Sequence, residues 1–118
     1  MNARQWMVGI LAVLFSFAAF TQYVGPSQKM ASTVAEALKA SDDTPVVLEG
    51  FIISQIRRER YEFKDSTGTI ILDVDDDIFW PAKITQTDKV RIYGEVDKEI
   101  FGTKIEVKHI ELISRTAK

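Results

Sequence analysis

A chain of 118 residues with a formal net charge of −2 and no cysteine is the length of one domain. The acidic balance argues against a nucleic-acid binder, which needs a basic footprint to neutralise phosphates, and against docking on anionic lipid by bulk charge. The missing cysteine excludes disulfides and a lipid-modified cysteine behind a leader.

Residues 1–20 read as a secretory signal. Arg4 supplies the positive end, and Trp6 to Phe20 then runs without a charge. That run is about the length of a signal core and shorter than the roughly 20 residues of a membrane helix. Ser16 with Ala18, or Ala19 with Thr21, offers the small residues of a cleavage site; left uncleaved, the segment is an anchor. Export delivers the remainder to the periplasm, one unit more negative because Arg4 is the only charge in the segment. Residues 21–32, with Gly25, Pro26 and Ser27 and no apolar period, form a linker. Thr33 followed by Glu36 is a capping box, and Val34, Ala37 and Leu38 share a face, which predicts a two-turn helix. A helix that short needs a surface to pack on, and one mouth of a barrel supplies it.

From Val46 the period changes to that of strands. A first strand over 46–53 carries Gly50, which marks a bend, and 54–59 is a charged turn. In 60–65, Tyr61 and Phe63 face in while Arg60, Glu62 and Lys64 face out. Asp65-Ser66-Thr67-Gly68 is a tight turn with Gly68 free to take positive φ. In 69–74, Ile70, Leu72 and Val74 point inward. The stretch 75–88 breaks the pattern with three aspartates, Ile78-Phe79-Trp80 and Pro81, and Trp80 is expected to plug the core. Alternation resumes over 89–98, with Gly94 as a second corner, and 99–103 is a hairpin loop. The last strand, 104–113, changes phase between Val107 and Ile110, which predicts a β-bulge near Lys108 and His109. Residues 114–118 are a tail. The sum is an all-β domain over 33–113 with one short N-terminal helix: a five-stranded Greek-key OB-fold barrel, with an open five-stranded sheet as the structural rival. The central glycines favour closure.

The ordered set Val47-Leu48-Glu49-Gly50-Phe51-Ile52, Tyr61-x-Phe63-x-Asp65-x-Thr67-Gly68, Leu72-Asp73-Val74-Asp75, Trp80 and Asp88-Lys89-Val90-Arg91-Ile92-x-Gly94-Glu95-Val96 resembles the bacterial OB-fold (BOF) family of YgiW/YdeI-type periplasmic stress-tolerance proteins. The resemblance implies a periplasmic location, a role in tolerance of envelope or oxidative stress, cationic peptides and metals, and no established catalytic residue. Departures at Arg57-Arg58-Glu59-Arg60 and Ile100-Phe101, where relatives are often acidic or carry other aromatic groups, keep ligand preference from being carried over.

No nucleophile–base pair, phosphate loop or dinucleotide fingerprint is present, so neither an enzyme nor a cofactor is expected. His109 is the single histidine and reads as an ordinary strand residue; zinc would need carboxylates alone. Asp73, Asp75, Asp76 and Asp77 lack a Ca²⁺-loop spacing and read as a turn or cap, with no metal expected. Binding is expected on the outer face of the second and third strands, flanked by the loops joining strands one to two and four to five. The candidate ligand-binding residues are Arg57, Arg58, Arg60, Lys64, Ile71 and Phe101. Guanidinium groups grip carboxylate or phosphate bidentately, and an adjacent apolar group suits an amphipathic ligand. The ordinary alternative is a solvated loop whose arginines pair with Glu59 and Glu62. The expected function is binding a small anionic or amphipathic ligand or envelope component; the alternative is an interaction module docking on a periplasmic or membrane protein through the sheet edge or through Ile56, Ile71 and Phe101. Nucleic acid is not an expected partner, because Tyr61 and Phe63 face inward and leave no stacking platform.

Overall fold

The computed structural model describes residues 30–115. The expected signal at 1–20, most of the expected linker and the end of the tail lie outside the described residues. Among the described residues no helix is long and apolar enough to cross a membrane.

One helix, α1 (Val34–Lys39), precedes five strands: β1 (Pro45–Arg57), β2 (Arg60–Asp65), β3 (Gly68–Asp73), β4 (Lys89–Glu99) and β5 (Gly102–Ser114). They close in the order β1-β2-β3-β5-β4, antiparallel except for the β3–β5 seam, where Ile71, Leu72 and Asp73 pair in parallel with Lys104, Ile105 and Glu106. This is the expected OB barrel, and closure removes the open-sheet rival.

Gly50 is where the barrel turns its corner. β1 pairs with β4 from Pro45 to Gly50 and with β2 from Phe51 onward. A Cβ on Gly50 would overlap the Lys64 carbonyl oxygen, so only glycine lets the two strands approach this closely. Gly94 serves the same purpose against the Glu106 carbonyl, beside a bulge: Tyr93 pairs with His109 and Gly94 with Val107, which leaves Lys108 as the extra residue. Inward residues Leu48, Phe63, Leu72, Ile92, Ile105 and Ile110 fill the interior, and Trp80, Ile78 and Ile84 pack against it from the β3–β4 connection, which contains no helix.

The turns are shorter than the sequence suggests. β1 continues to Arg57, so the β1–β2 turn is Arg58-Glu59 rather than 54–59, with Glu59 at φ +68°. Two register shifts, at Ile53 and Ile56, carry the strand through a stretch whose alternation had dissolved. The β4–β5 turn is likewise only Ile100-Phe101.

In α1 the Thr33 hydroxyl accepts from the Glu36 N–H, and the Glu36 carboxylate accepts from the Ser32 N–H at 2.8 Å. Val34 and Ala37 join the core, whereas Leu38, expected on the same face, is exposed. The helix is fastened to the β2–β3 turn by Asp65, which accepts from the Val34 N–H at 2.9 Å and from the Thr67 N–H and hydroxyl at 2.8 and 2.6 Å. Burial pushes the Asp65 pKa up, but the bonds from Thr67, Val34 and Gly68 outweigh it and hold it below the ordinary aspartate value. A depressed folded pKa contributes stability above the unfolded value, near 3.9, and loses it as pH falls through the folded one. Asp65→Asn is therefore expected to cost about 1 kcal/mol at neutral pH, the size of a lost cap, and its deficit in urea titrations is expected to shrink as pH falls below the ordinary aspartate value.

Candidate binding groove

The expected site residues do not form one site. Arg57 ends β1 and is exposed with no ion pair among the described residues. Arg58 pairs with Asp76, and Arg60 with Asp73 at 3.7 Å, its cross-strand neighbour. Asp73 at the end of β3 and Asp76 in the β3–β4 connection thus take the place expected for Glu59 and Glu62. Arg58 holds the Asp76 carboxyl below the ordinary range by hydrogen bonding and then by charge. Ile71 is half-buried on the outer face of β3. Phe101 sits on the β4–β5 turn, two residues ahead of Thr103 and level with the start of β3, because Lys104 pairs with Ile71. The β1–β2 turn lies at the other end of β3, beside Asp73. Roughly 17 Å of strand separates the two turns, so Arg57, Arg58 and Phe101 do not rim a common pocket.

The concavity lies elsewhere. A groove of about 980 Å³ crosses the outer face of β1, lined by Val47, Glu49, Phe51 and Ile53 on the floor. One wall is Ser32, Thr33, Lys64, Asp65 and Ser66, from the start of α1 and the β2–β3 hairpin. Gln86, Thr87 and Lys89 form the other wall, where the β3–β4 connection enters β4. The groove forms here because β1 leaves β4 for β2 at Gly50, and the Ile53 bulge turns an extra apolar side chain outward. Of the expected site residues only Lys64 lines it.

The charges around the groove divide by their partners. Glu49 is held by Arg91 at 2.7 Å, and Arg91 also bonds Glu111. Asp65 is engaged by the helix and the turn. Lys64 and Lys89 carry no ion pair among the described residues, and the strand register sets them on either side of Phe51 on β1. Such a surface can hold an apolar body and neutralise an anionic group.

The sequence contained a trace of this groove. On a barrel strand facing solvent, outward positions should be polar. β1 reads Val46-Val47-Leu48-Glu49-Gly50-Phe51-Ile52-Ile53, apolar on both faces, and the outward set is half-buried Val47, Phe51 and Ile53.

Two acidic features stand apart. Glu59, Asp73 and Asp75 bring carboxylate oxygens within 4.8 Å of one another, an all-oxygen set of the kind a hard cation takes, although Arg60 already pairs with Asp73. Lys104 is buried on the outer face between Asp97 (3.0 Å) and Glu99 (2.5 Å). His109 is exposed on β5 beside the Tyr93 ring and 3.5 Å from Glu111, as an ordinary strand residue would be.

Comparison with known proteins follows the fold. The family described as Bacterial OB fold (BOF) protein matches residues 17–112. The calcium-regulated OB-fold protein CarO of Pseudomonas aeruginosa is 42% identical over 92 residues, covering 77% of this chain and 79% of CarO. Protein YgiW of Escherichia coli is 40% identical over 83 residues, which span 70% of this chain and 64% of YgiW. A solved structure of the E. coli protein superposes with a TM-score of 0.67 over 75% of this chain and 94% of that one. A replication protein A heterotrimer bound to single-stranded DNA, at 16% identity and a TM-score of 0.58, shares the fold alone.

Proposed function

Because the chain belongs to the bacterial OB-fold (BOF) family, we propose that it is a periplasmic binding protein of envelope and stress tolerance whose site is the groove over β1. Its ligand is a small amphipathic anion or envelope component: the apolar part lies on Val47, Phe51 and Ile53, and the anionic part meets Lys64 and Lys89. The observation that carries this is the apolar floor between two cations that have no acidic partner among the described residues. Export rests on Arg4 and the uncharged run behind it. Binding rather than catalysis is favoured by an apolar floor whose neighbouring acids are already engaged, Glu49 by Arg91 and Asp65 by the helix and turn. Nucleic acid is disfavoured by the net charge of −2 and by the inward setting of Phe63.

The test is a thermal-shift titration with decyl phosphate below its micelle concentration. A ligand that binds the folded state raises its stability by about 2.7 kcal/mol at a hundredfold excess over Kd. Lys64→Ala with Lys89→Ala is expected to weaken that response roughly 30-fold, about 2 kcal/mol, because solvent screening leaves the two lysines together the size of one bond to a charged group, while the unliganded melting temperature stays within a degree or two. If affinity instead survives that pair and falls in Arg57→Ala with Arg58→Ala, the site belongs to the β1–β2 turn.

A further inference from the structure

The β4–β5 turn breaks the usual chemistry of a two-residue hairpin. Asn, Asp and Gly dominate such turns because they tolerate its backbone and face water. Here Ile100 and Phe101 occupy both positions, 94% and 97% exposed. Two large apolar side chains side by side at a strand tip leave in water the surface that burial would remove at about 25 cal/mol per Å². On the face of the tip that carries Lys104, Asp97 and Glu99 share its single ammonium, a surplus of one negative charge, while Lys98 between them turns to the Leu38 carbonyl.

The groove over β1 has the opposite shape, and its charged groups without an ion pair or side-chain hydrogen bond among the described residues are cations. Its floor is apolar, its acids are spoken for by Arg91 and by the helix, and its two lysines are unpaired among the described residues. One chain cannot satisfy itself. Lys89 at the groove and Glu99 at the tip are the two ends of β4, which puts them about 33 Å apart along extended strand.

We propose that the Ile100-Phe101 tip of one copy seats in the β1 groove of a second, with Lys64 and Lys89 meeting Asp97 and Glu99. The inference rests on the groove being the binding site. Because tip and groove are different surfaces, the contact is head-to-tail and builds rings or chains rather than a two-fold dimer. The tip is then a built-in competitor: an amphipathic anion entering the groove releases the neighbouring copy.

The test uses the full chain and two variants, each checked for native circular dichroism. Phe101→Ser keeps the groove and loses the tip; Lys64→Glu with Lys89→Glu keeps the tip and loses the groove. Sedimentation velocity of wild type up to about 0.5 mM, which reaches contacts near the weak end of specific affinity, is expected to show association rising with concentration. Each variant alone requires at least tenfold higher concentration for the same mass. An equimolar mixture of the two forms a one-to-one dimer and nothing larger, since each dimer consumes the only intact tip and the only intact groove. Wild type that stays monomeric, variants that associate like wild type, or a mixture that forms no dimer overturns the proposal. Phe101→Ser retains the groove, so its response to decyl phosphate separates a failed tip contact from a failed groove.

Discussion

Gly94→Ala is expected to cost about 3 kcal/mol of folding stability, the upper part of the range for overpacking, and to lower the melting temperature by roughly 15 °C in a domain this small. The substitution adds a single methyl group. At Gly94 that group would overlap the Glu106 carbonyl oxygen and press on the Ile105 side chain at 3.1 Å. The obstacle is backbone within a paired strand, so a change of rotamer cannot relieve it. Glu106 is fixed on both sides, to Glu95 on β4 and to Asp73 across the parallel seam. Either the seam opens or the bulge at Lys108 moves. A variant that melts with wild type would mean that the barrel is not closed here as described.

Phe63→Ala is expected to cost more, about 3–5 kcal/mol, because it removes a fully buried ring and leaves a cavity. Total stabilities of 5–15 kcal/mol put such a variant near the limit of folding. The ring lies directly beneath the corner, 2.9 Å from where a Cβ on Gly50 would stand. Adding Gly50→Ala to Phe63→Ala therefore gives a partial offset. The methyl group gains the space of the ring but still meets the Lys64 carbonyl. Urea unfolding should show the double variant less stable than Phe63→Ala alone, yet more stable than the sum of the two single changes predicts.

The strands were legible where one face is apolar and the other polar. Ile70, Leu72 and Val74, and then Val90, Ile92 and Val96, announced their inward parity, and each proved buried. Gly50 and Gly94 were legible as corners because a glycine within such a pattern has little to do but admit another backbone. The end of β1 was not, because two bulges at Ile53 and Ile56 erase the alternation on which strand reading depends. The short β1–β2 turn was lost for the same reason. Nor did near neighbours identify the partners of the arginines: Glu59 and Glu62 were the natural choice, yet the β2–β3 hairpin sets Asp73 against Arg60 and the connection after it brings Asp76 to Arg58. The groove depends on the same long-range geometry. It joins residues from 32–33, 47–53, 64–66 and 86–89, and its only local trace is the strand with apolar residues on both faces.

The groove is tested most directly by amide and methyl chemical-shift mapping of the isotope-labelled chain during titration with decyl phosphate. The largest changes are expected at Val47, Phe51, Ile53, Lys64 and Lys89, with Arg57 and Arg58 nearly still. Shifts centred instead on Arg57, Arg58 and the outer face of β2 and β3, with Val47 and Phe51 unmoved, would contradict the assignment of the site.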